Sequence, residues 1–143
     1  IAALRAIGSR KDSILSKGEF TGSAYGARLK PNERQIVRDY FVKGTDKLVQ
    51  AGIAMESGDV HSALTLWQEE VNNSNSKIKG RACHNLAVGM ELKGDLKQAL
   101  EWASMANVSL SDKSSQGYVK ELEDRIGQQT IVDAQLAQVN YED

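Results

Sequence analysis

One proline in 143 residues, Pro31, leaves nearly the whole chain free of the residue that most reliably breaks a helix. A single cysteine, Cys83, excludes any intrachain disulfide. Aromatic residues are scarce at 6%. The formal net charge is -1, with 18 basic against 19 acidic side chains. Without concentrated Lys or Arg there is no generic attraction to nucleic acid or to anionic lipid, and neither is expected as a partner. No apolar run approaches the roughly 18–20 residues of a membrane span. The chain opens at Ile1 rather than at Met, which reads as a fragment or processed form of a longer protein.

What is present is helical periodicity and an internal repeat. Gly58-Asp59 recurs as Gly94-Asp95, 36 residues on. The same offset pairs Ala51 with Ala87, Ala63 with Ala99, and Leu64 with Leu100. Glycine permits the positive φ that closes one helix, and Asp caps the next by accepting a backbone N–H. Small alanines on either side let two antiparallel helices approach closely. The unit is a helical hairpin read twice, with a period near the ~34 residues of tetratricopeptide repeats.

The flanking stripes extend this frame. Val37, Tyr40, Phe41, Gly44, Leu48, Ala51 and Met55 keep a 3.6 spacing, predicting one helix over 32–57 or two broken near Gly44. Val60 to Val71 gives the next stripe, and residues 72–76 read as a polar loop. Stripes on Ala82, Cys83, Leu86, Ala87 and Met90, and on Leu96, Ala99, Leu100, Ala103 and Ala106, form the second hairpin. Tyr118, Val119, Leu122 and Ile126 begin a fifth helix that stands as a cap, its polar side supplied by Gln128, Gln129, Gln135 and Gln138. Residues 1–16, with Leu4, Ile7, Ile14 and Leu15, read as a short amphipathic helix, and 17–31 as an irregular connection. No strand alternation stands out.

The expected fold is therefore all-α, with antiparallel helical hairpins stacked as a short tetratricopeptide-like solenoid and a terminal capping helix. It forms one domain over 1–143. The divisions are 1–31, a first repeat over 32–75, a second over 76–110, and the cap over 111–143.

Chemistry is thin. His61 and His84 are the only histidines and fall on different helix faces. Consecutive residues on a helix point about 100° apart, so Cys83 and His84 do not form a nucleophile and base. Trp67 sits on an apolar stripe and reads as core, while Trp102 lies one step off its stripe. No catalytic set, metal site or cofactor is expected. The candidate site is instead the concave face of the first helices, mapped to Met55, Glu56, Arg81, His84, Val88 and Glu91. Its mixed apolar and charged character suits a protein or peptide.

The run Gly80-Arg-Ala-Cys-His-Asn-Leu-Ala, continuing to Gly94-Asp-Leu-Lys-Gln-Ala-Leu-Glu-Trp-Ala, resembles the central signature of an uncharacterised Bacteroides-type lipoprotein family with tetratricopeptide-like helices. Residues 28–31, 40–48 and 63–67 are similar too, so the resemblance covers about 28–126. It implies the C-terminal helical part of a lipid-anchored cell-envelope protein. Membrane association would come only through an upstream anchor. The expected function is a non-catalytic interaction or scaffold module holding a protein or its own upstream domain. The alternative is a carbohydrate-related role shared with an upstream domain, for which Trp102 and Tyr118 would have to lie exposed on one face.

Overall fold

The computed structural model describes residues 24–28 and 35–142. The chain is mostly helical. Strand β1 (Ala24–Arg28) and strand β2 (Gln35–Asp39) are followed by helices α1 (Asp46–Glu56), α2 (Val60–Glu70), α3 (Ser76–Leu92), α4 (Leu96–Leu110) and α5 (Lys113–Glu142). Each helix packs on the next in chain order. The amphipathic helix expected over 1–16 lies outside the described residues.

The two turns between paired helices repeat almost atom for atom. Gly58 and Gly94 both have φ +86. The Gly58 N–H donates to the Met55 carbonyl and the Asp59 N–H to Ala54; 36 residues on, Gly94 donates to Glu91 and Asp95 to Met90. These 5→2 and 6→1 bonds satisfy carbonyls that a helix end leaves open. Asp59 then accepts from the Ser62 N–H at 3.1 Å, and Asp95 from the Gln98 N–H at 3.0 Å, so each Asp starts the next helix. A Cβ at either glycine would meet nothing, so only the backbone angle demands Gly there.

Helix α3 is the centre of the molecule. Eleven of its 17 residues are buried, on every side, which marks an internal helix rather than an amphipathic one. Ala51, Ala63, Ala87, Ala99 and Ala103 are buried at the helix contacts. At Gly89 an added Cβ would run into the Leu64 Cδ2 methyl of α2, so that side chain would have to shift to admit one. Trp67 is fully buried, while Trp102 is half-buried against the core.

The N-terminal third departs from expectation. The structure places a two-stranded antiparallel ladder where an irregular connection and the start of a helix were predicted, with Ala24 paired to Asp39 and Arg28 to Gln35. Residues 40–43 run on as a strap without regular structure, and helix begins only at Asp46. Two local features set that start. Gly44 takes φ +135, and Thr45 is extended at φ -140, ψ 165, its hydroxyl accepting from the Leu48 N–H at 3.2 Å. The helical stripe through Val37, Tyr40 and Phe41 is thus a coincidence of spacing. Tyr40 and Phe41 are neighbours in an extended segment, both buried, the first against Trp67 and the second against His84.

Past Ser111, which takes the left-handed φ +52, α5 runs unbroken for 30 residues. Only its first part packs, through Ser115, Tyr118 and Leu122. Residues 127–140 are exposed all round. Among the described residues no helix is long and apolar enough to cross a membrane.

Candidate functional site: the strap-binding face of α3

The face of α3 expected to be an open groove is filled by the chain itself. His84 (6% exposed) and Glu91 (9%) are buried against residues 38–41 and α5, and Val88 (2%) and Met55 (0%) are in the core. Glu56 is exposed at the end of α1, and Arg81 is half-buried. Four of the six positions predicted to line an accessible surface, Met55, His84, Val88 and Glu91, are therefore buried instead. Three of the six, Arg81, His84 and Glu91, nevertheless line one contact surface, and what they hold is residues 38–43.

The contacts fall on alternate residues of an extended chain. His84 Nε2–H donates to the Asp39 carbonyl at 2.9 Å. The Asn85 amide grips Phe41 twice: its Oδ1 accepts from the Phe41 N–H at 2.8 Å and its Nδ2 donates to the Phe41 carbonyl at 2.7 Å. Arg81 Nη1 donates to the Lys43 carbonyl at 2.6 Å, and its guanidinium carbon lies 5.1 Å from the centre of the Phe41 ring. Every one of these hydrogen bonds goes to main chain. In an extended segment, alternate residues point their main-chain groups to one side, so positions 39, 41 and 43 meet a single helix face. Asn85 is fully buried, and this pair of bonds explains why a polar amide is tolerated there.

Beside the strap, Glu91 is the hub of a buried ionic cluster. Arg38 binds it with two nitrogens, Nε at 2.8 Å and Nη2 at 3.1 Å, and also reaches Glu121 at 3.1 Å. The Tyr118 hydroxyl donates to Glu91 Oε1 at 2.9 Å, and Arg125 Nη1 donates to Oε2. Two cations and two carboxylates balance, and β2, α3 and α5 are tied at one point. The Arg38 guanidinium also lies 4.7 Å above the Tyr118 ring.

The titration shifts follow from this setting. Burial pushes His84 down to about 4, reinforced by the Arg38 charge and opposed by the hydrogen bond to Asp39. The ring is thus neutral at pH 7. Burial, then the Glu91 charge, raise Tyr118 well above its ordinary value. Burial alone would lower Arg38, but its hydrogen bond to Glu91 and the surrounding negative charge outweigh that and raise it. Cys83 is raised by burial, so its thiol stays protonated and poorly nucleophilic. His61 lies exposed on α2, and no three His, Cys, Asp or Glu side chains among the described residues are grouped as metal ligands.

Sequence reasoning missed Asn85, Arg38 and Arg125, whereas Tyr118, placed on the apolar stripe of the fifth helix, is buried. A signal existed for Asn85 alone. It is an amide set among the apolar stripe residues Cys83, Leu86 and Ala87, and a buried amide demands partners.

The family model described as Domain of unknown function (DUF6340) matches residues 49–124. The chain belongs to that family. The part matched to DUF6340 starts within α1 and stops within α5, so it includes Arg81, His84, Asn85, Glu91 and Tyr118 but not the strap they hold. Neither the curated proteins nor the solved structures provide a match.

Proposed function

We propose that this chain is a non-catalytic protein–protein interaction or scaffold module. In this reading its two helical hairpins form a short tetratricopeptide-like solenoid with α5 as the terminal helix, within a lipid-anchored protein of a Bacteroides-type cell envelope. The observation that carries the proposal is the grip of Arg81, His84 and Asn85 on alternate main-chain groups of residues 39–43. A helix face that binds main-chain groups at alternate residues is suited to holding an extended polypeptide. The polypeptide held here is the protein's own upstream segment, so the module's first task is to fix whatever precedes residue 38 against the helices. That favours a scaffold over a catalyst.

The module is expected to keep an upstream domain or a second protein at a fixed orientation. The test is affinity purification of the full-length protein from its native envelope after mild cross-linking. Cross-links between the helices and either the upstream part or one stoichiometric companion protein are expected. A protein that emerges with no such cross-links and hydrolyses envelope glycan would overturn the reading. The carbohydrate-related alternative draws little support, because it needed Trp102 and Tyr118 exposed together, and Tyr118 is 7% exposed.

A further inference from the structure

Two clefts flank the turn between α3 and α4. One, of about 520 Å³, lies between that turn and the second half of α5; Lys93, Leu96 and Lys97 line one side of it, Ile126 and Asp133 the other. The second, of about 370 Å³, lies between α2 and the end of α3, with Leu64 and Met90 in its wall. Lys93 lines both. The carboxylates of the two clefts are already engaged. Asp95 accepts from the Gln98 N–H and caps α4, Asp133 accepts from Gln129 Nε2 at 2.9 Å, and Glu69 pairs with Lys47 at 3.3 Å. The cations are not. Lys93 and Lys97 are exposed, and among the described residues neither is paired with a carboxylate. Each cleft therefore sets an uncommitted ammonium group beside apolar side chains.

We propose that these clefts hold an acidic segment of a partner protein, with an Asp or Glu side chain at Lys93 and Lys97 and apolar residues to either side of it. The proposal rests on the reading of the chain as an interaction module and names the chemistry of what it holds. Charge complementarity selects the occupant. A carboxylate supplies what the two lysines lack, whereas a basic segment would meet two unpaired cations. The apolar walls select a polypeptide over a simple anion. Leu96 and Ile126 on one side of Lys93, and Leu64 and Met90 on the other, would be left idle by a phosphate or a lipid headgroup. Ion pairs at such an open surface act mainly on specificity and association rate, and they weaken with salt.

Panning a random peptide library displayed on phage against the purified full chain tests this, with selected peptides then titrated by fluorescence anisotropy. Selected peptides should carry a carboxylate next to apolar residues. Replacing that Asp or Glu with Asn or Gln should weaken binding at least about tenfold, and Lys93→Glu with Lys97→Glu should do the same. Lys113→Glu with Lys120→Glu, an equal change of net charge, should leave binding within about twofold. All four lysines are exposed, so both variants should melt with the parent. Unchanged affinity in the Lys93/Lys97 variant, an equal loss in the Lys113/Lys120 variant, or a selection without acidic peptides would overturn the proposal. Co-sedimentation with phosphatidylglycerol vesicles that is lost in the Lys93/Lys97 variant alone would also overturn it, by assigning the lysines to a membrane surface. If that variant melts early, photo-cross-linking of a selected peptide to the parent decides: adducts at Leu96 or Ile126 support the cleft, and adducts elsewhere refute it. Any of these failures alongside companion-protein cross-links in the envelope experiment would discard the cleft and keep the module reading.

Discussion

Replacing Asn85 with Ala removes the two hydrogen bonds that its amide makes to the buried Phe41 main chain, at 2.8 and 2.7 Å. A buried group that loses such a bond costs about 1–3 kcal/mol. The vacated side-chain volume adds a smaller cavity cost, and the total is at least about 3 kcal/mol. For a chain of this size that is a fall in Tm of roughly 10 °C or more. Asn85→Asp separates the two bonds, because the carboxylate still accepts from the Phe41 N–H but sets an oxygen against the Phe41 carbonyl. It should cost at least as much as Ala near pH 7, since it buries a charge opposite a carbonyl dipole. The assay is urea unfolding followed by the fluorescence of Trp67, which packs 5.9 Å from Tyr40 of the strap. If Asn85→Ala costs under about 1 kcal/mol, in the range of an ordinary surface change, the main-chain grip on the strap is refuted.

The other perturbations probe separate parts of the structure. Ala99 is fully buried at a close helix contact, so Ala99→Leu should cost about 1–3 kcal/mol by overpacking; a thermal melt matching the parent would contradict the packing. Gly58→Ala and Gly94→Ala, both at φ +86, should each cost about 1 kcal/mol or more by backbone strain with no change in packing, read from denaturant midpoints. His84 stays neutral in the folded chain down to about pH 4 while the unfolded imidazole takes a proton near 6.5. The unfolded state therefore binds the extra proton between those values, and stability should fall as pH drops from 6.5 toward 4, by about 3 kcal/mol at most. Stability curves against pH for the parent and His84→Gln should differ in slope in that window and run parallel above it. Arg81→Glu with Glu91→Lys, harmless if these residues lined an open groove, should cost about 3–5 kcal/mol, because it leaves Arg38 and Arg125 facing a lysine in the buried cluster.

The helical hairpins were legible because their signals are local. Gly58-Asp59 and Gly94-Asp95 each encode a stop and a start within two residues, and their bonds in the structure differ by no more than a few tenths of an ångström. The buried alanines were legible because the 36-residue offset repeats them. The strap was not, because nothing in a periodicity tells which distant segment will cover a helix face. Tyr40 and Phe41 fit the helical stripe although each is buried by a different neighbour from an extended backbone. Gly44 read as a possible break inside a helix, whereas its φ of +135 and the cap on Thr45 make it the junction between strap and helix. The candidate site was half legible for the same reason. Counting along α3 selected Arg81, His84 and Glu91 as one face. Their partners, Arg38 and the main chain of 39–43, lie about 40 to 50 residues away in sequence and became visible only when the chain was folded.

The claim on which the account rests is that α3 holds the strap by its main chain. The most direct test is native-state hydrogen exchange of the Phe41 amide by NMR. That N–H donates to a fully buried Asn85, so its protection should match that of the α3 amides around Leu86. A Phe41 amide that exchanges within minutes, like an exposed loop, while Leu86 remains protected would contradict it.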